Sequence, residues 1–157
     1  MTGVQTCALP IYLASHGYVV VSADHLGFTS WDVEEMMAGD AVVDMAANRH
    51  QMGIDRYGDV PFLIAAATER GYARSGPVGV VGISLGGWTA LVAPAVEPRV
   101  VSIVPLCPAG GRSPIYPNDG GLRALLDLDW SPSVSCLLGV ADRDSWLPLY
   151  EIGRAHV

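Results

Sequence analysis

The stretch Val78–Ala93, VGVVGISLGGWTALVA, decides the fold. Its opening, VGVVG, is a short β-branched run without polar alternation, as in a strand buried on both faces. From Leu85 to Val96 the composition turns helical, although Pro94 is expected to bend that helix or end it early. Between the two, Gly82-Ile83-Ser84-Leu85-Gly86 spells G-x-S-x-G. A strand running straight into a helix makes a turn so tight that the serine at its apex must adopt a strained backbone. Glycines at 82 and 86 are expected to be there because a Cβ at either would collide. The pattern alone recurs by chance, so its weight comes from the strand before it and the helix after it.

Working outward, Tyr12–His16 followed by Gly17 reads as the last turn of a helix, and Tyr18–Val21 (YVVV) as a first buried strand. A polar loop, SADHLGFTSWD, comes next, then a helical stretch at Glu34–Asn48. Asp59 looks like the N-cap of another helix, with Pro61 in its first turn and Gly71 as its stop. After the decisive stretch, Val100–Pro105 and Ser133–Val140 read as two further strands, with a loop at Pro108–Gly121 and a short helical piece near Leu122–Leu126. Strands separated by helices imply crossover connections, hence a parallel sheet and one α/β domain. Composition agrees: 50% of the 157 residues are hydrophobic and only 16% charged, against about 25% charged in a typical soluble domain. The formal net charge of −7 argues against nucleic acid as a partner, since phosphate contacts need a basic face. No apolar run reaches the length of a membrane span.

These residues resemble the α/β-hydrolase family. Within it the likeness is to a serine-dependent branch near bacterial dienelactone-hydrolase-like and platelet-activating-factor acetylhydrolase-like proteins. LASHGYVVVSADHLGFTS at Leu13–Ser30 looks like that group's helix, strand and loop, and Arg56 with Asp59-Val60 resembles the start of its helix before the nucleophile strand. The resemblance implies a mostly parallel sheet with helices on both faces, here lacking the N-terminal strands and the C-terminal His-bearing part. It makes the G-x-S-x-G turn a nucleophile elbow and Ser84 the nucleophile, with the backbone N–H of Leu85 aimed at a developing oxyanion. Dienelactone hydrolases proper carry Cys at that position, so Ser84 favours ester or other acyl-group hydrolysis.

The family order is Ser, then Asp or Glu, then His. The acid is expected in Gly139–Pro148, directly after the last strand, and the family's placement of Pro four residues after the acid selects Asp144, with Asp142 as the alternative. The base is harder to find. His16, His25 and His50 all precede Ser84, and the one His after Asp144 is His156. His25 is expected to be a loop-packing residue, and His16 a helix-end residue favoured by the dipole. Without a general base a serine hydroxyl is a poor nucleophile, so the chain itself is expected to be inactive.

Both ends read as translated sequencing adapter: MTGVQTCALPI at residues 1–11 and EIGRAHV at residues 151–157 back-translate to strings that overlap as reverse complements. Residues 12–150 are then the hydrolase part, Cys7 and His156 carry no chemical message, and no signal peptide or compartment can be read. Cys107 and Cys136 read as buried structural thiols, since no C-x-x-C or His cluster accompanies them. Trp31, Trp130 and Trp146 could rim an acyl pocket or simply pack over the core. The sequence therefore points to part of a serine hydrolase acting on a small-molecule ester or related acyl substrate, with no cofactor and no metal. Another elbow chemistry (a peptidase or a carbon–carbon hydrolase) and a non-catalytic binding protein on the same fold remain as alternatives.

Overall fold

A β-branched run becomes a strand only where a neighbour completes its hydrogen-bond ladder, and the neighbours here come from far along the chain. The computed structural model describes residues 8–25, 45–110 and 129–140. In chain order the elements are α1 (Ala8–Ser15), α2 (Met45–Glu69), β1 (Val78–Ile83), α3 (Leu85–Val96), β2 (Val100–Leu106) and β3 (Ser135–Cys136). The three strands form one parallel sheet in the order β1-β2-β3. The protein is thus an α/β fold, as expected, and consistent with part of an α/β-hydrolase.

The helix β1–α3–β2 crossover that carries G-x-S-x-G is its centre. β1 pairs with β2 from Val78↔Val100 to Ile83↔Leu106, with one slip between Val78 and Gly79 that leaves Val101 as an extra residue. A bulge of this kind reverses side-chain parity. Val100 before it and Ile103 after it therefore both reach the core, while Val101 is exposed. Val100 and Ile103 meet Ala90 and Ala93 from α3 and Val60 from α2, with Val80, Ile64 and Leu91 packed around them. Trp88 and Val92, one turn apart on α3, make a second cluster with Tyr57 of α2, the Tyr57 and Trp88 rings lying 6.1 Å apart. A fully buried valine or isoleucine such as Val92, Val100 or Ile103 is worth about 1.5–3 kcal/mol relative to exposure. On the opposite side of the sheet Val81 and Ile83 are exposed.

The two expected glycine stops are present as Schellman closures. Gly17 takes φ +87, its N–H donating to the Ala14 carbonyl and that of Tyr18 to Leu13; Gly71 takes φ +71, with the same two bonds to Thr68 and Ala67. Helix α1 starts inside the adapter-like stretch and runs through Tyr12.

Four expectations need correction. Tyr18–Val21 is not a strand among the described residues: it pairs with nothing and all four side chains are exposed. Asp59 is not an N-cap, and Arg56-Asp59-Val60 does not begin a helix, because α2 runs from Met45 to Glu69 with Pro61 inside it. An Asp two residues before a Pro mimics a helix start; here the proline costs the helix a hydrogen bond and a clash with the carbonyl four residues back, and the packing of Val60 and Ile64 against the core offsets that cost. Pro94 likewise does not end α3 early: the helix reaches Val96 with Pro94 inside it. The last strand is reduced to Ser135–Cys136, with one further bridge from Gly139 to Leu106. The upstream part of Glu34–Asn48, most of Pro108–Gly121 and the piece at Leu122–Leu126 lie outside the described residues.

At the far end of α3 from Ser84, Glu97 and Arg99 close the chain into β2. Both oxygens of the buried Glu97 carboxylate accept from Arg99, from its backbone N–H and Nε on one side and from the guanidinium terminus at 2.6 Å on the other. These bonds hold the Glu97 carboxyl below its ordinary range and raise the Arg99 guanidinium.

Candidate active site

Ser84 stands where β1 hands over to α3, at φ +54 and ψ −116. A side chain in that left-handed region crowds its own backbone, so the conformation persists only where the surroundings impose it. Three backbone bonds do so. The Ser84 carbonyl accepts from Trp88 N–H at 3.0 Å, which starts α3, and from Ala109 N–H at 2.9 Å; the Ser84 N–H donates to the Leu106 carbonyl at 3.0 Å. Although Ser84 occupies the N-cap position, its hydroxyl makes no capping bond and the residue is exposed. The helix offers no acceptor to the N–H groups of Leu85, Gly86 and Gly87 in its first turn, and the positive end of its dipole lies there. An exposed hydroxyl beside a row of such donors is the arrangement that acyl transfer requires.

Of the motif's two glycines only Gly82 is demanded in the expected way. A Cβ on Gly82 would drive into the backbone of Gly86, whereas a Cβ on Gly86 would meet nothing within 4 Å. The sequence reading placed the second constraint one residue early. It falls on buried Gly87, where a Cβ would lie 2.9 Å from the Leu106 carbonyl and 3.0 Å from Pro108 Cα. The doubled glycine at 86–87 was the available signal.

The other candidates scatter. Leu85 is the first residue of α3. Asp144, Asp142, His156, Trp31 and Trp146 lie outside the described residues. His25 does more than pack: its Nδ1 sits 2.5 Å from an Asp59 carboxylate oxygen on α2, the pair half-buried. One turn before Asp59, Arg56 is buried, which lowers its pKa, while the Asp59 carboxylate opposes that shift. His16 is at the C-terminal end of α1 as expected, its Nδ1 2.9 Å from the Tyr12 carbonyl. The thiols are less buried than expected: Cys107 is half-buried, and Cys136 is exposed on the short edge strand β3, with partial desolvation raising its pKa. Trp130 packs against the Val60–Ile103 cluster, which favours its structural reading over a pocket rim.

The sequence profile of the X-Pro dipeptidyl-peptidase (S15) family matches residues 3–145, most of the chain, Ser84 and both candidate acids included. The chain belongs to that family. S15 peptidases are serine hydrolases of the α/β-hydrolase fold, so the hydrolase parentage read from the elbow holds. The matching profile is that of a peptidase family rather than of the dienelactone-hydrolase-like branch. No curated protein and no solved structure matches the chain. No helix among the described residues is long and apolar enough to cross a membrane.

Proposed function

We propose that Ser84 is the nucleophile of an acyl-transfer hydrolase. Ser84 Oγ attacks the substrate carbonyl, the N–H of Leu85 stabilises the tetrahedral oxyanion, and Asp144 (or Asp142) orients the histidine that takes the serine proton. The observation that carries this is the exposed hydroxyl held at positive φ on the end of α3, with Gly82 letting the turn close. Substrate class is the open choice within that chemistry. The absence of a Cys nucleophile supports a carboxylic ester, and the S15 match supports a peptide bond of the X-Pro type. We take the peptide as the better supported of the two.

His156 is the one histidine after Asp144, so the chain as given is proposed to be inactive; separately, their back-translation supports reading residues 1–11 and 151–157 as adapter-derived. Resequencing the source DNA across both junctions tests the second point. The first is tested by following hydrolysis of a p-nitrophenyl ester and of an Xaa-Pro p-nitroanilide, with imidazole added to stand in for the missing base. The expected result is no turnover above that of Ser84→Ala without imidazole, and a Ser84-dependent increment with it. An imidazole-dependent hydrolysis that is the same in Ser84→Ala would refute the nucleophile.

A further inference from the structure

Helix α3 is the usual suspect for holding an elbow serine in place, but here it supplies only one of the three backbone bonds to Ser84. Of the other two, Ser84 N–H to the Leu106 carbonyl continues the β1–β2 ladder at the end of β2, and Ala109 N–H to the Ser84 carbonyl comes from the turn that leaves it. For a chain leaving β2 to swing an N–H back onto Ser84 within three residues, it must reverse sharply. It does so at Cys107, whose φ of +42 makes it, with Ser84, one of the two non-glycine residues in the left-handed region among the described residues. The same turn grips the next segment as well. Cys107 N–H donates to the Gly139 carbonyl at 2.7 Å, and Gly139 N–H to that of Pro105 at 2.9 Å. Gly139 lies three residues before Asp142 and five before Asp144 in sequence. Gly87 completes the arrangement, because only a residue without a Cβ lets α3 lie against the Leu106 carbonyl and Pro108.

We propose that the Leu106–Ala109 turn is a brace that sets the position of the nucleophile, with Cys107 and Gly87 as its positioning residues. The two strained residues are linked through one turn: Ser84 is bonded to Leu106 and Ala109 on either side of Cys107, and Cys107 to Gly139. The left-handed turn at Cys107 presents the Ala109 N–H, that N–H fixes the Ser84 carbonyl, and the Ser84 carbonyl fixes where Oγ and the Leu85 N–H point. Cys107 acts through its backbone, so its thiol is dispensable while its φ is not. This proposal rests on Ser84 being the nucleophile.

The test is the rate at which p-nitrophenyl acetate, with imidazole, acetylates Ser84 in the full chain, read by peptide mass. Cys107→Gly keeps the left-handed turn at no steric cost and should leave the rate close to that of the parent. Cys107→Val, β-branched and averse to positive φ, should slow it about a hundredfold, the cost of a misplacement of roughly 1 Å. Gly87→Ala should do the same by pushing α3 off the turn. An unchanged rate in Cys107→Val overturns the brace alone, whereas no acetylation of Ser84 in the parent overturns the nucleophile and the brace with it. Should the Val variant fail to fold, amide hydrogen exchange of the parent decides. Protection of Ala109 N–H to the level of Trp88 N–H, since both donate to the Ser84 carbonyl, supports the brace; exchange of Ala109 at an open-loop rate overturns it.

Discussion

Tyr18–Val21 and Val78–Gly82 are near twins in sequence, YVVV and VGVVG, and opposites in the fold. The second is a ladder-paired strand against β2, in a sheet whose Val100 and Ile103 are about 2% and 1% exposed; the first belongs to no strand, its side chains 38–66% exposed. By propensity alone the first should be the better strand, since it has no glycine. The difference lies in what stands beside each. Val78–Ile83 is followed at once by a helix that returns the chain to lay β2 alongside it, whereas Tyr18–Val21 has no such partner among the described residues. Strand character here is a property of a pair, and the β1–α3–β2 crossover carries its pair within thirty residues.

That contrast can be broken hardest from the crossover side. Trp88→Ala empties the centre of the second cluster and should cost about 3–5 kcal/mol, read as a fall in the denaturant midpoint. Gly82→Ala forces a Cβ into the Gly86 backbone and should cost about 3 kcal/mol, with the elbow as the site of damage. If either variant melts like the parent, the crossover is not the stable half of the molecule. Next comes acidification. Arg99 holds the Glu97 carboxyl below its ordinary range, so the pair's contribution is complete above the pKa of an unfolded glutamate and fades as pH falls through that range to the depressed native value. Glu97→Gln should therefore lower the melting temperature at neutral pH and leave less of the acid dependence. Equal acid dependence in the variant would remove Glu97 from the account.

The smallest effects belong to the exposed segment. His25→Ala cuts the tie to Asp59, a half-exposed pair worth about 0.5 kcal/mol, and should speed amide exchange around residues 18–25 while hardly moving the global melt. Val20→Ala should change stability by less than about 0.5 kcal/mol. A loss of more than about 2 kcal/mol from Val20→Ala would mean that the segment is packed in solution, and would erase the contrast.

What could be read from the residues follows the same division. The strand-to-helix turn, helix α3 with its bounds and both glycine closures are legible because each is written in adjacent residues, and the parallel sense of the strands because helices separate them. Several of the failures are cases in which the partner is distant. Asp59 reads locally as a cap, but its partner His25 lies 34 positions away. Gly86 was credited with a constraint that belongs to Gly87, because Leu106 and Pro108, which impose it, come from the other strand. Two of the three bonds on Ser84 are likewise invisible, since one reaches the end of β2 and the other comes from the turn after it. The acid is a matter of sequence alone, as Asp144 and Asp142 lie outside the described residues.

The central claim is that Ser84, and no neighbouring group, is the acylated residue. It is tested most directly by treating the chain with p-nitrophenyl acetate and imidazole and locating the acetyl group by peptide mass. The account predicts the label on the peptide bearing Ser84 and its loss in Ser84→Ala. A label on Cys107, or one that survives Ser84→Ala, would contradict it.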